Sequence, residues 1–545
     1  MKYFFWLLFI CFNNSNAQKL KKADKATLVN LQQHISYLAS DALEGRRTGS
    51  AGEQLAYNYI VNEYTKMGLE PKGENGSFLQ PFEIIDGKII NPSTHLIING
   101  NDLKINKDFF PLTCSPNTSL QATTAIGMQE SKAPWFYNIG NLIESNKTNP
   151  HFDIVDALKA MAINIAQKGA NALIVYNTSA IDDGIRFDVK SKDTALAIPI
   201  VYVTKTQAQQ LFKDETAIQD IQLKVLIEQK KRVGHNVIAF KNNNAATTII
   251  IGAHYDHLGY GEDHNSLFTG TEPQIHNGAD DNASGTAAVI ELSKMLSASA
   301  FANNNYLFIH FSGEELGLYG SKYFTEHSSI PLAQANYMVN LDMVGRLNDS
   351  THGLTIAGFG TSPTWGEVIT TANDYFSIKV DSSGTGPSDH TSFYRKNIPV
   401  LFFFTGLHSD YHKPSDDADK INYTGTYKVV KYIYELVGAV NNKGKLNFTT
   451  TKERATSTKS NFKVTLGIMP DYTFSGIGVR ADGVSEGKLA QKVGIKAGDV
   501  IIKLGNYYFN DVQAYMDVLS KFKKGDATTV TVQRGAEKLE FNIVF

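Results

Sequence analysis

The sequence predicts an α/β fold in which helices cover both faces of a central sheet. One observation is a set of near-continuous apolar runs typical of buried strands, at 247–252 (TTIIIG), 306–311 (YLFIHF), 337–341 (YMVNL) and 399–404 (PVLFFF). The other is that these runs alternate with helical patterns between residues 234 and 443, which favours a layered α/β domain.

The chain of 545 residues is too long for one hydrophobic core, and roughly 100–200 residues per domain predict about three units. Residues 26–83 have a helical pattern, and residues 88–233 alternate between strand-like runs and helices. The stretch 446–461 is mostly polar and aperiodic, as is typical of a linker, and 462–545 forms a last, small unit. Within the insert, the clearest buried strands are predicted at 170–176 and 198–203.

The N-terminus has the order of features found in exported proteins. Lys2 precedes an apolar run over 3–12, and the polar stretch that follows ends in the small residue Ala17. This order predicts a signal peptide over 1–17 and export to the periplasm or the extracellular space. The run is too short to cross a bilayer, which takes about 20 apolar residues. A buried N-terminal helix and lipid attachment at Cys11 remain as alternatives.

The composition excludes several classes of partner. The formal net charge of -2 gives no reason to expect nucleic acid or an anionic membrane as a partner. No later segment is apolar enough to span a membrane, so the sequence predicts no transmembrane segment. Cys11 is expected to leave with the signal peptide, and Cys114 alone can form no intrachain disulfide.

Histidine and acidic side chains cluster where the predicted strands of the central segment end. They are His254, Asp256, Asp280, Asp281, Glu314, Glu315, Asp342 and His412. In open α/β sheets the carboxyl ends of the strands are where sites form. Each motif alone is more often a turn, a helix cap or a solvated helix start, but their coincidence at strand ends favours a site.

These residue types fit a metal-dependent hydrolase. Carboxylates and imidazoles bind zinc, and two ions a few ångströms apart can share one carboxylate. In the adjacent pair Glu314 and Glu315, one residue can bind metal while the other acts as a general base. Asp256 stands two residues from His254 and could accept its second ring N–H. The ligand types alone would also admit manganese or cobalt.

Five motifs resemble those of peptidase family M28, the di-zinc aminopeptidases: GAHYDHLG, NGADDNASG, FSGEELGLYGS, NLDMVGR and SDYHKPSDD. The segment HISYLASDALEGRRTGSAG is similar to the family's opening segment. The resemblance covers about 28–90 and 234–443. It implies a zinc exopeptidase fold, with a mostly parallel mixed sheet, over 18–87 and 234–445.

The resemblance also implies a role for each residue of the cluster. Two zinc ions would be bound by His254, Asp281, Glu315, Asp342 and His412. Asp281 would bridge them, because it stands three residues before Ser284, and the Asp281–Asn282 peptide bond is expected to be cis. Glu314 would be the general base and Asp256 the partner of His254.

Further side chains are expected near the substrate. The triplet Ser388, Asp389 and His390 resembles a family loop close to the site, which implies a substrate-side role. Tyr394 and Tyr411 are both candidates for stabilising the oxyanion, with a structural role as the alternative for each, and the sequence does not distinguish between them.

The flanking units resemble two non-catalytic modules. In 88–233, GANALIVYN and IPIVYVTKTQAQQLF are similar to a β-rich protease-associated (PA) domain, which would cover or shape the cleft; a plain structural insert is the alternative. Residues 462–545 resemble a PDZ domain, a β-barrel-like module, with TLGIMPDY as its carboxylate-binding loop. Such a domain would bind the C-terminus of a peptide, unless only the fold is retained.

The sequence therefore predicts a secreted aminopeptidase with two zinc ions that acts on peptides. A related carboxypeptidase or dipeptidase is the alternative within the same scaffold, because pocket walls decide between them. A PDZ-bearing binding protein with an inactive peptidase domain is the alternative from another class, but it would predict a lost ligand or base.

Overall fold

The structure is a computed structural model that describes residues 22–147, 152–189, 191, 193–263, 265–370, 372–451, 464–470, 474, 476–484, 488–510 and 512–545. The predicted signal peptide, 1–17, and residues 452–461 of the predicted linker lie outside the described residues.

The helices are α1 (Lys22–Leu38), α2 (Ala51–Lys66), α3 (Gly140–Asn146), α4 (Ile154–Gln167), α5 (Lys205–Leu211), α6 (Gly285–Ser297), α7 (Tyr319–Glu326), α8 (Thr364–Val368), α9 (His390–Tyr394), α10 (Tyr423–Val440), α11 (Leu489–Val493) and α12 (Val512–Ser520). No helix in the described part of the chain combines the length and the apolar character needed to cross a bilayer.

The strands are β1 (Glu70–Pro71), β2 (Leu79–Ile90), β3 (His95–Ile98), β4 (Asn101–Leu103), β5 (Phe109–Pro111), β6 (Thr118–Ala125), β7 (Pro134–Asn138), β8 (Ala172–Tyr176), β9 (Ile200–Val203), β10 (Ile218–Val225), β11 (Ile227–Lys241), β12 (Thr248–His254), β13 (Asn305–Phe311), β14 (Ala335–Leu341), β15 (Gly353–Ala357), β16 (Ser377–Val380), β17 (Val400–Phe404), β18 (Ile468–Pro470), β19 (Val479–Val484), β20 (Val500–Leu504), β21 (Tyr507–Tyr508), β22 (Ala527–Arg534) and β23 (Glu537–Val544).

The chain divides into two compact units, and the first comprises residues up to 80, 236–315 and 321–451. Its sheet has the order β1-β11-β13-β12-β14-β17-β15-β16. Strands β13, β12, β14 and β17 run parallel to one another, whereas β11 and β15 pair antiparallel with their neighbours β13 and β17. The predicted mixed, mostly parallel central sheet is therefore confirmed, as are all four of its predicted apolar strands.

Helices cover both faces of this sheet, as predicted. Successive residues of a strand point to opposite faces. Ile249 packs in a core that includes Val289 of α6 and Val430 of α10. Its neighbour Ile250 packs in a second core with Phe324 of α7 and Phe393 of α9.

The helical pattern predicted over 26–83 is wrong after Lys66. Gly68 adopts a φ of +67° just past the end of α2, which stops the helix. From Leu79 onward, buried and more exposed residues alternate, so that Phe82 and Ile84 point inward. That period of two produces the strand β2.

The second unit comprises 81–235, 316–320 and residues from 452 to the C-terminus. Its N-terminal part contains two four-stranded sheets, β4-β3-β10-β6 and β5-β9-β8-β7, and the predicted buried strands are confirmed as β8 and β9. Its C-terminal part contains the sheet β18-β19-β20-β22-β23, in which β21 also pairs with β20. Each part has its own apolar core.

Candidate metal centre

The parallel strands β12, β13, β14 and β17 place the predicted site residues at one edge of the central sheet. His254 is the last residue of β12, and Asp342 directly follows β14. Glu314 and Glu315 follow β13 after a short turn. Because these strands are parallel, their carboxyl ends lie side by side, and the residues that follow them meet.

Asp281 lies between two histidines. Its Oδ1 atom is 3.3 Å from Nε2 of His254, and its Oδ2 atom is 3.3 Å from Nε2 of His412. Nε2 of His254 is also 3.4 Å from Oδ1 of Asp342, while Nε2 of His412 is 3.1 Å from Oε2 of Glu315. The five predicted ligands thus form two groups that share Asp281.

These separations suit two zinc sites. Two ligand atoms of a tetrahedral zinc ion with bonds of about 2.0–2.1 Å stand about 3.3 Å apart, close to the observed 3.1–3.4 Å. Nε2 of His254 and Oδ1 of Asp342 are buried and make no hydrogen bond to any described group. A buried polar atom without a partner is costly, and a bound cation would remove that cost.

The loop that carries Asp281 has a specific backbone. The Asp281–Asn282 peptide bond is cis, as expected from the sequence. The N–H groups of Asp280 and Asp281 both donate to Oδ2 of Asp416, at 3.0 and 3.1 Å. The carboxylate of Asp280 instead accepts the N–H of Gly345 at 2.6 Å. Asp281, rather than Asp280, therefore lies between the histidines.

The pKa values of the adjacent glutamates are shifted in opposite directions. Burial raises the pKa of Glu314 well above its usual value, and the charges of Asp342 and Glu315 add to this. Burial also acts to raise the pKa of Glu315, but the charge of His412 and the hydrogen bonds from His257 and His412 together outweigh it and hold this pKa at about 2. Two neighbouring carboxyl groups with separated pKa values are typical of a base beside a ligand.

Asp256 lies beside the second ring nitrogen of His254, as predicted, but the nearer of its oxygens is the main-chain oxygen and not the carboxylate. Nδ1 of His254 is 3.2 Å from the main-chain oxygen of Asp256 but 3.6 Å from its carboxylate. That carboxylate is engaged elsewhere, because it accepts the Thr48 hydroxyl at 2.9 Å and the N–H of Glu314 at 3.3 Å. Asp256 therefore contacts the backbone of the general-base candidate.

The substrate-side role expected for Ser388, Asp389 and His390 is also at odds with the structure. All three residues have no exposed surface. The Ser388 hydroxyl accepts a hydrogen bond from the Asn340 side chain at 2.7 Å, and the His390 ring stacks on Phe402. Ser388 and His390 thus pack against β14 and β17 inside the domain, and the side chains of the triplet are not open to solvent.

Arg46 is a site residue that the sequence reasoning missed. Its guanidinium is fully buried and, within the described part of the chain, donates its hydrogen bonds to main-chain oxygens, those of Leu38, Tyr255 (2.8 Å), Asn277 (2.6 Å) and Gly278 (3.0 Å). Burial lowers its pKa to about 10, so the guanidinium keeps its charge at neutral pH. It thereby ties α1 to the loops that follow His254 and precede Asp281.

The segment 41–53 supports the same loops through further contacts. The side chain of Asn277 donates to Asp41 at 2.8 Å, and the hydroxyl of Ser312 donates to Glu53 at 2.5 Å. Gly45 has a φ of +67°, and a Cβ atom there would lie 2.6 Å from a main-chain oxygen. The glycine in EGRR could have indicated the importance of this segment in the sequence, because a glycine often marks a close approach of two backbones.

Comparison with known protein families agrees with this fold and cluster. Residues 236–437 match the sequence model of peptidase family M28, and residues 453–544 match that of the PDZ domain. The chain therefore contains a domain of peptidase family M28 and a C-terminal PDZ domain, as the motifs predicted.

Several curated proteins are similar to part of the chain. The aminopeptidase YwaD of Bacillus subtilis (strain 168) is 26% identical over 273 residues, which are 48% of this chain and 55% of YwaD. The probable lipoprotein aminopeptidase LpqL of Mycobacterium tuberculosis is 28% identical over 269 residues, which are 47% of this chain and 49% of LpqL. The chain thus spans about half the length of the curated relatives it matches.

Solved structures are similar at lower identity. BSAP, a zinc aminopeptidase from Bacillus subtilis, is 21% identical with a TM-score of 0.43, over 77% of this chain and 95% of that chain. An aminopeptidase from Aneurinibacillus sp. strain AM-1 is 23% identical with a TM-score of 0.40, over 78% of this chain and 96% of that chain.

Replacing Arg46 by Met should destabilise the first unit by at least about 3 kcal/mol, because each buried oxygen left unpaired costs about 1–3 kcal/mol. Denaturant unfolding of the full chain measures this loss. The control is Arg47→Met, which removes a part-buried hydrogen-bonded pair with Asp263 and a longer ion pair with Glu262, and should cost about 1 kcal/mol. Equal losses in the two variants would contradict the importance of Arg46.

Proposed function

We propose that this protein is an exported aminopeptidase that uses two zinc ions and a glutamate base to remove residues from the N-termini of peptides. The observation that carries the proposal is the placement of Asp281. Each of its two oxygens is 3.3 Å from a different histidine, and the histidines are accompanied by Asp342 and Glu315. A carboxylate with that arrangement suits a bridge between two ions.

In this proposal His254 and Asp342 hold one zinc ion, Glu315 and His412 hold the other, and Asp281 is shared. Zinc bound there supplies a Lewis acid for the scissile carbonyl and makes an attacking water more acidic. The fit of the donor atoms does not by itself exclude manganese or cobalt.

Glu314 is the proposed general base. Its Oε2 atom is 3.9 Å from Nε2 of His254, farther than the 3.1–3.4 Å that separate the proposed ligand atoms. The carboxylate therefore lies beside the ligands and is not one of them. Its raised pKa suits a group that takes a proton from the attacking water and returns it to the leaving amine. The hydrogen bond from its N–H to Asp256 holds the backbone of this residue in place.

Tyr411 is the better of the two candidates for stabilising the oxyanion. Its ring stacks on His412 with 3.9 Å between centroids, whereas the hydroxyl of Tyr394 is bonded to the main chain of Thr451. Burial raises the pKa of the Tyr411 hydroxyl, and the charges of Asp281 and the other site carboxylates add to this. The phenol therefore stays protonated and can donate a hydrogen bond.

The charges around the site favour an amino end over a carboxyl end of the substrate. A carboxypeptidase needs a cation for the substrate's terminal carboxylate, but the arginines of the surrounding segments already have partners. Arg46 binds main-chain oxygens, Arg47 binds Asp263, and Arg346 binds Asp410. The excess of carboxylates suits a free ammonium group, and the relatives YwaD and LpqL are named as aminopeptidases.

The remaining parts of the chain have supporting roles in the proposal. The order of residues 2–17 supports export, and the relative LpqL is named as a probable lipoprotein. Residues 88–233 are proposed to be a non-catalytic PA-like insert. The PDZ domain is proposed to bind peptide C-termini. A binding protein with an inactive peptidase domain is disfavoured, because the five ligands and Glu314 are all present.

An amino-acyl amide with a free amine should be hydrolysed, and its N-acetylated form should not, because acetylation removes the ammonium group that the carboxylates attract. A chelator should abolish the activity, and zinc should restore it. The measurement is the release of the amide's amine from both substrates by the same preparation. Equal cleavage of the blocked substrate would rule out an aminopeptidase.

Glu314→Gln should reduce kcat by about 10²–10⁴-fold, because the amide has the shape of the carboxylate but cannot take a proton. Metal analysis should still find two zinc ions per chain, since Glu314 is not a proposed ligand. Turnover close to that of the unmodified protein would remove Glu314 from the role of base.

Tyr411→Phe should reduce kcat by about 10²–10³-fold and leave KM nearly unchanged, because the lost hydrogen bond serves the transition state. Tyr394→Phe is the matched control, and its kcat should stay within a few-fold of the unmodified protein. If the two variants behaved alike, the assignment of the oxyanion donor to Tyr411 would fail.

A further inference from the structure

A third histidine, His257, lies beside the proposed ligands and has no part in the function described above. Its side chain is fully buried, and its Nδ1 atom is 2.7 Å from Oε1 of Glu315. His257 faces the same pair of carboxylates, Asp281 and Glu315, as His412 does. The two imidazole rings are T-shaped to each other, with 6.0 Å between their centroids. Either histidine could in principle complete a zinc site with these carboxylates.

The two histidines differ in their distances to the carboxylates. Nε2 of His412 is 3.1 Å from Glu315 and 3.3 Å from Asp281, close to the separation of about 3.3 Å for two ligands of one tetrahedral zinc ion. The 2.7 Å between His257 and Glu315 is instead the length of a charge-assisted hydrogen bond. Because a carboxylate can only accept, Nδ1 of His257 carries the proton.

The two oxygens of Glu315 are consequently divided between the two rings. Oε1 accepts the hydrogen bond from His257, and Oε2 faces His412. The backbone of His257 is held by two contacts. Its N–H donates to the main-chain oxygen of Arg46 at 3.3 Å, and His257 pairs with Arg47 as an isolated β-bridge. The segment that contains Arg46 thus also holds His257.

We propose that His257 is a positioning residue that restricts Glu315 to binding zinc through a single oxygen. A carboxylate with both oxygens free can bind one ion in a bidentate manner and fill a position that the substrate needs. With Oε1 held by His257, that position stays open. This inference rests on the proposed function, because it assigns a role toward a zinc ion bound by Glu315 and His412.

The test compares two substitutions in the full-length chain. His257→Leu removes the donor, whereas His257→Asn keeps an amide N–H near the place of Nδ1. Loss of such a hydrogen-bond partner of a ligand costs about 10–100-fold in metal affinity. We expect that loss for the zinc ion bound by Glu315 and His412 in His257→Leu, and recovery to within a few-fold in His257→Asn, both measured by competition with a chromophoric chelator.

His34→Leu is the matched control. His34 is also a buried histidine that lies beside a buried glutamate, 3.4 Å from Glu291, and neither of these two residues is a proposed ligand. A merely structural effect of losing a buried imidazole should appear in both leucine variants as lower stability, with zinc affinity unchanged in His34→Leu.

Three results would overturn the inference. Unchanged zinc affinity in His257→Leu, with two zinc ions bound to the unmodified chain, would contradict the role of His257 alone. Equal loss of zinc in His257→Asn and His257→Leu would identify His257 as a ligand. An unmodified chain that binds fewer than two zinc ions would contradict the proposed function itself.

Discussion

The concentration of buried carboxyl groups at one edge of the sheet is the constraint on which the rest of this domain depends. Asp256, Asp280, Asp281 and Asp416 are each at most 3% exposed, and Glu314 and Glu315 lie among them. Charges removed from water are tolerated only when they are paired, hydrogen-bonded or bound to metal. Three features compensate these buried charges: the hydrogen bonds of the surrounding loops, the buried guanidinium of Arg46 and the proposed zinc ions.

The same constraint gives chemically identical side chains different tasks. Glu314 and Glu315 are neighbours in the sequence, yet burial raises the pKa of Glu314, whereas two histidines together outweigh burial at Glu315 and lower its pKa. Asp280 and Asp281 differ in the same way, since one accepts a main-chain N–H and the other faces two imidazoles. Residue type therefore limits the possible roles, and the local contacts select among them.

The elements with a strong local pattern were predictable from the sequence. The apolar strands and the clustering of acidic and histidine residues at their ends followed from the hydrophobic runs, whereas the mixed sheet and the choice of Asp281 over Asp280 followed from the resemblance to family M28. Arg46 was not predictable, because a guanidinium that binds main-chain oxygens needs no particular side chain as its partner. The burial of His390 and the partners of Asp256 depend on how separate segments pack, which no local pattern encodes.

The segment 41–53 has a practical consequence for anyone who works with a part of this chain. The family match begins at residue 236, so a fragment cut at that boundary would keep all five proposed ligands. It would nevertheless lack Arg46, Thr48 and Glu53, which contact the loops around those ligands. A fragment that is to keep the cluster together with these contacts therefore has to begin before residue 41, far upstream of the family match.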